Sequence, residues 1–151
     1  MMSRKNIIAL GFFFTTGCLV SFAQMSMKAD QYGKWGSIVQ SAQDILAGKT
    51  LDKGAATISP EAYLVIGKRY ENLHSVINGE IKGCSLHEGA SRQEAWLHLK
   101  VNDQENAAVL VLKTQTDKKT DDRFHTVVFM KDSAGHWSIQ AWHASEGARA
   151  D

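Results

Sequence analysis

The sequence predicts an α+β domain in which helices pack on one face of a curved antiparallel sheet. Two observations carry this. Apolar residues recur at helical three- and four-residue steps early in the chain, and the second half switches to alternating or continuous apolar runs separated by short polar turns. An amphipathic helix must bury its stripe, and one face of that sheet is the only large partner on offer. Composition sets the outer bounds. Of 151 residues, 44% are hydrophobic and 22% charged, near the globular average of about 25% charged. That excludes a disordered polar chain, a collagen-like repeat and a polytopic membrane protein, and the length suits one domain. With 17 basic against 16 acidic residues, no global field points to nucleic acid or an anionic membrane.

The first segment stands apart. A short basic start with Arg4 and Lys5 leads into an apolar run of 17 residues, Ile7 to Ala23, that ends in Ser21-Phe22-Ala23. Small residues at the positions a signal peptidase reads predict a secretory signal peptide over 1–23, with cleavage before Gln24. The run falls short of the ~20 residues that span a bilayer, and Gly11 and Gly17 weaken it as a permanent span. A lipoprotein reading competes, because Gly17-Cys18 resembles a lipid-attachment site, but the apolar run continues past Cys18. Export to the periplasm or medium is the expectation. Removing 1–23 takes Arg4, Lys5 and Cys18. The mature domain, 24–151, then holds 15 basic and 16 acidic residues and one cysteine, Cys84. No internal disulfide is available, so packing alone must stabilise it.

The elements follow in order. Tyr32, Trp35, Ile38, Val39, Ala42, Ile45 and Leu46 form one stripe on a helix of about four turns, with Asp30 suited to its N-cap and Gly48 to its stop. Thr50 to Thr57 could make a short second helix, weakened by Gly54, before Ser59-Pro60 breaks the chain. Ala62 to Ile66 reads as a strand and Glu71 to Asn78 as a helix presenting Leu73, Val76 and Ile77. Four strands follow: Ala95–Val101, Ala107–Leu112, Phe124–Met130 and Trp137–Ala144. Their short connections predict an antiparallel meander, with Asp117-Lys118-Lys119 at a solvated hairpin tip.

The last two strands carry a family resemblance. In Val127 to Ser145, the spacing of Trp137, Ile139, His143 and Ser145 resembles the Trp-x-Ile-x-x-x-His-x-Ser ending of nuclear-transport-factor-2-like domains. That superfamily includes polyketide-cyclase-like (SnoaL-like) and ketosteroid-isomerase-like proteins. Ala47 to Asp52 and Pro60 to Val65 resemble its passage from helix to first strand. The resemblance implies a cone, with a bent sheet wrapped around a helix-lined pocket, and often a homodimer through the sheet's outer face.

Candidate chemistry follows from parity along the last strand. Trp137, Ile139, Ala141 and His143 share one face, and Ser138, Gln140, Trp142 and Ala144 the other. The first set is mostly apolar and is expected to face inward, so Trp35, Tyr63, Trp137, Ile139 and His143 are the expected pocket lining. There His143 could act as a general base with Tyr63 as hydrogen-bond donor, or serve as a structural imidazole. Tyr70 could reach the same cavity. An outward His143 would require a bulge near Ala141 that shifts the parity. Trp96, His98 and Lys100 suit an exposed or dimer-facing side, with Trp96 and Trp142 as interface aromatics.

Family isomerases use a strand-borne acid, yet 107–112 and 124–130 contain no Asp or Glu; Glu61 and Glu94 are the nearest candidates. No His-x-Glu-x-x-His motif, paired cysteine or glycine-rich phosphate loop is present, so neither a metal nor a nucleotide cofactor is expected. Three readings remain open: a binding module for a small apolar ligand, a dehydratase, cyclase or isomerase using His143, and a dimeric interaction module.

Overall fold

A computed structural model of the chain describes residues 29–51, 56–87, 93–115 and 122–145. The expected signal peptide with Cys18 and the Gln24 start, and the Asp117-Lys118-Lys119 tip, lie outside the described residues. The stripe expected as one helix divides in two. A 3-10 segment, Ala29–Trp35, contains Gly33 at φ 54° and ψ −124°, and the α-helix proper, α1, runs Gly36–Leu46. Gly33 tolerates a conformation that a Cβ would disfavour, so the chain kinks there. Trp35, not Asp30, therefore occupies the N-cap of α1, without a side-chain cap bond. The buried stripe is as expected, with Ile38, Val39 and Ala42 fully enclosed. Ser41 is buried with them: its hydroxyl donates to the Ser37 carbonyl (2.7 Å) and accepts from the Ala56 amide (2.8 Å), tying the following strand to the helix.

The short second helix expected over Thr50–Thr57 is not seen where the structure describes it. Thr50, Leu51 and Ala56 are coil and Thr57 opens strand β1, while 52–55 lie outside the described residues. Strand β1 (Thr57–Ile66) starts earlier than expected and runs through Pro60. It does so at an irregularity, where its register against the last strand jumps from Ile58↔Ile139 to Tyr63↔Ala141; a proline needs such a gap in the ladder. Strand β2 (Arg69–Asn72) pairs back on β1, and helix α2 (Leu73–Ile77) follows, capped by the Asn72 side chain accepting from the Ser75 amide at 3.1 Å.

The four later strands stand where the apolar runs put them: β3 (Gln93–Val101), β4 (Ala107–Gln115), β5 (Arg123–Lys131) and β6 (Trp137–Ala144). They form an antiparallel meander, and β1 adds to β6 in parallel, giving one six-stranded sheet of order β2-β1-β6-β5-β4-β3. Its inner face is apolar: Leu97, Leu110, Leu112, Val127, Phe129 and Ile139 meet the stripe of α1 in a single core.

The parity of β6 changes partway along. Phe129 pairs with Ile139, but Val128 pairs with Ala141, so Gln140 is an extra residue in a bulge. Ile139 before the bulge and Trp142 and Ala144 after it are all fully buried, while His143 is exposed. The expected inward His143 and outward Trp142 are thus both reversed, for the reason that a bulge near Ala141 would supply. Once inside, the Trp142 indole needs an acceptor. It finds one in His125, also fully buried, with Nε1 donating to His125 Nδ1 at 3.1 Å and the two rings edge-on at 5.9 Å.

A candidate ligand pocket at the end of helix α1

Helix α1 ends as a Schellman motif. The Gly48 amide donates to the Ile45 carbonyl (3.0 Å) and the Lys49 amide to that of Asp44 (2.8 Å), with Gly48 at φ 67°. The Leu46 carbonyl is taken by a side chain from far along the chain, as His87 Nδ1 lies 3.2 Å from it. A carbonyl only accepts, so Nδ1 carries the proton and Nε2 is left without a hydrogen-bond partner among the described residues. The imidazole lies directly on Gly48, where a Cβ would come within 2.7 Å of Nδ1. Gly48 therefore terminates the helix and makes the seat for the ring. The ring's own backbone is braced by the His87 amide donating to Ser85 Oγ at 3.1 Å.

Around this seat lies a pocket of about 430 Å³, within the range of roughly 300–1,000 Å³ typical of ligand clefts. It lies between the end of α1, the Gly48–Leu51 turn, β1, α2 and the loop carrying residues 85–87. Its apolar wall is aliphatic: Ile45, Leu51, Ile58, Val76, Ile77 and Leu86. Its polar groups are Lys49, Thr50, Asn78, Ser85 and His87. His74, on α2, is turned the other way, its Nε2 donating to the Ile58 carbonyl at 3.1 Å and fixing α2 against β1. Cys84, just before the loop, is buried, and burial pushes its thiol pKa up while nearby Arg69 partly opposes this. It is suited to packing rather than attack.

The residues singled out from sequence lie elsewhere. Trp35 and Trp137 pack edge-on at 5.9 Å against the core. Ile139 is enclosed within it. Tyr63 stacks on Tyr70 at 5.2 Å, and both are exposed, Tyr70 at 70%. The strand register puts Tyr63 beside Ala141 and Val65 beside His143, so Tyr63 and His143 do share a face. It is the outer face of the sheet, because their neighbours Ala62, Leu64, Trp142 and Ala144 hold the inner one. None of the five lines the pocket described above. Glu61 is exposed on β1.

Sequence reasoning passed over His87, Leu86 and Lys49. Their meeting spans 41 residues between Leu46 and His87, and periodicity reports only local order. Gly48 directly after an apolar stripe was the one local clue. Among the described residues, no three His, Cys, Asp or Glu side chains gather as a metal site, and no helix is long and apolar enough to cross a membrane.

No family model and no curated protein matches the chain. Its likeness is to solved structures. A protein of unknown function from the DUF3225 family of Pectobacterium atrosepticum SCRI1043 superposes with a TM-score of 0.54 at 14% identity, over 83% of this chain and 94% of that one. A ketosteroid-isomerase-like protein from Parabacteroides distasonis ATCC 8503 gives 0.53 at 18% identity, over 75% of this chain and 87% of that one. The class the fold defines is α+β, with a curved sheet wrapped on its N-terminal helix. More particularly, the chain has the nuclear-transport-factor-2-like cone fold that its closing strands resemble. At this identity the likeness speaks for the fold alone.

Proposed function

We propose that the protein is an exported, non-catalytic module that binds a small amphipathic molecule in the pocket at the end of α1. The observation that carries this is the pocket's make-up: six aliphatic side chains form one wall, and a few polar groups stand beside a seated imidazole. Such a lining favours an apolar body with a polar head. Against catalysis by the His143–Tyr63 pair stands its exposure on the outer face, where neither side chain is shielded from water.

Titration with the fluorescent probe 8-anilinonaphthalene-1-sulfonate tests the pocket. Saturable binding that is lost on Ile77→Trp, which fills the pocket from its half-exposed rim, is the expected result. Binding indifferent to that substitution overturns it. Intact-mass measurement of the secreted product tests export, with a start at Gln24 expected and a lipid adduct on Cys18 or a full-length cytosolic chain contradicting it.

A second reading concerns assembly. Trp96 (48% exposed), Phe124, Val109 and Met130 stand on the outer sheet face, and a homodimer through that face would cover them. Trp142 takes no part, being fully enclosed. Sedimentation of Trp96→Glu against the parent chain checks this: a dimer converted to monomer supports it, and a parent chain monomeric at high concentration refutes it.

A further inference from the structure

Resting on the pocket reading above, we infer that the ligand's polar head is a carboxylate, clamped between Lys49 and a protonated His87, on an aliphatic body. The pocket supplies three reasons. Its described lining contains one formal charge, Lys49, and no Asp or Glu. Thr50, Ser85 and Asn78 can all donate to an oxygen acceptor. No Phe, Tyr or Trp is among the described lining residues, so the wall suits a saturated chain better than a stacked ring.

His87 decides the head group's chemistry. Its Nδ1–H is committed to the Leu46 carbonyl at 3.2 Å, the last residue of α1, where the helix dipole places partial negative charge. A neutral ring so bonded carries its lone pair at Nε2, the nitrogen not engaged by the helix. A ring that takes up a proton keeps its bond to Leu46 and gains a second donor at Nε2, directed away from the helix. The carbonyl then backs an imidazolium that pairs with the carboxylate, a charge-assisted bond on a pre-oriented ring. Among the described residues, no acid lines the pocket to compete for the ring. Gly48 beneath it is bare, the Asp44 and Ile45 carbonyls are used within the helix end, His74 on α2 faces Ile58, and Lys49 carries the same sign as the head group's partner. Lys49 and a charged His87 line the same pocket, and two cations there favour an anion.

The test is a displacement series against bound 8-anilinonaphthalene-1-sulfonate, using octanoate, octanol and octylamine, followed by calorimetry of octanoate in two buffers of different ionisation enthalpy at mildly alkaline pH. Octanoate should displace the probe at least about tenfold more tightly than octanol, with octylamine weakest. The calorimetry should show protons taken up on binding. His87→Gln, whose amide can still donate to Leu46, and Lys49→Met should each lower octanoate affinity about tenfold, and an unchanged thermal melt shows that each variant is still folded. His87→Gln should also abolish the proton uptake. Octanol matching octanoate, or proton uptake surviving in His87→Gln, overturns the carboxylate clamp while the pocket reading stands. Failure of the probe itself to bind overturns both.

Discussion

Two imidazoles in this protein use the same ring nitrogen in opposite ways. His125 sits fully buried on the inner sheet face and accepts from the Trp142 indole through Nδ1. His87 is exposed at the end of α1 and donates through Nδ1 to a helix carbonyl. The first bond requires a lone pair on Nδ1. The second requires a proton on Nδ1 and is kept when the ring becomes charged. One imidazole closes a core and the other can open onto a ligand. The difference lies in what faces each ring, not in the residue type.

The largest effects should come from the closed side. Trp142→Ala removes the largest enclosed side chain among the described residues and should cost about 3–5 kcal/mol in denaturant melts. Trp142→Phe keeps most of the volume but strips His125 Nδ1 of its donor, and should cost about 1–3 kcal/mol. A cost near zero for the phenylalanine would mean that the indole bond is not what holds His125, and the comparison would break.

A smaller but more selective effect should come from Gly48→Ala. The new Cβ must fit a φ of 67° and displace the ring that lies 2.7 Å away. A loss of about 1–2 kcal/mol is expected from the backbone alone, together with a shift of the His87 ring signals in NMR that Trp142→Phe does not produce. Unmoved His87 signals would detach the ring from its seat.

His143 offers a near-blank control. Exposed on the outer face, its change to Ala should move the melt by no more than about 0.5 kcal/mol and leave probe binding intact. A loss of binding would return the site to the outer face.

The smallest effect is acid-dependent and belongs to the Asp132 carboxylate in the β5–β6 turn. The His136 amide, donating to Asp132 Oδ1 at 2.8 Å, is the main cause holding the Asp132 carboxyl below its ordinary value, with further help from the His136 ring and the Ala134 amide. A carboxyl lowered on folding contributes stability that is complete above the ordinary carboxylate range near ~4 and is lost as pH falls through its lowered folded value. The protection of the His136 amide, its exchange relative to an unfolded chain at the same pH, should therefore fall on acidification below that range, and Asp132→Asn should flatten the dependence.

Much of the fold was legible because its signals are local. The four apolar runs after residue 93 carry their own period and became the expected strands, and the stripe from Tyr32 to Leu46 kept its buried face although Gly33 divides the helix. The lost features depend on one inserted residue or on distant pairing. Gln140 adds a single residue to β6, and with a side-chain period of two that moves His143 out and Trp142 in. Pro60 looked like an end and is instead absorbed where β1 slips against β6. β1 lies parallel to β6 across some 80 residues of sequence, which no local pattern announces. The pocket was hidden for the same reason, since its imidazole and its helix end are joined only in three dimensions.

The proposed ligand surface lies at the end of α1 and not on the outer face of the sheet. Amide chemical-shift mapping during octanoate titration tests it directly. Shifts should concentrate on Gly48, Leu51, Val76, Leu86 and His87 and saturate together, with Tyr63, Trp96 and His143 unmoved. Shifts centred instead on Tyr63 and His143, with Gly48 and His87 silent, would contradict the account.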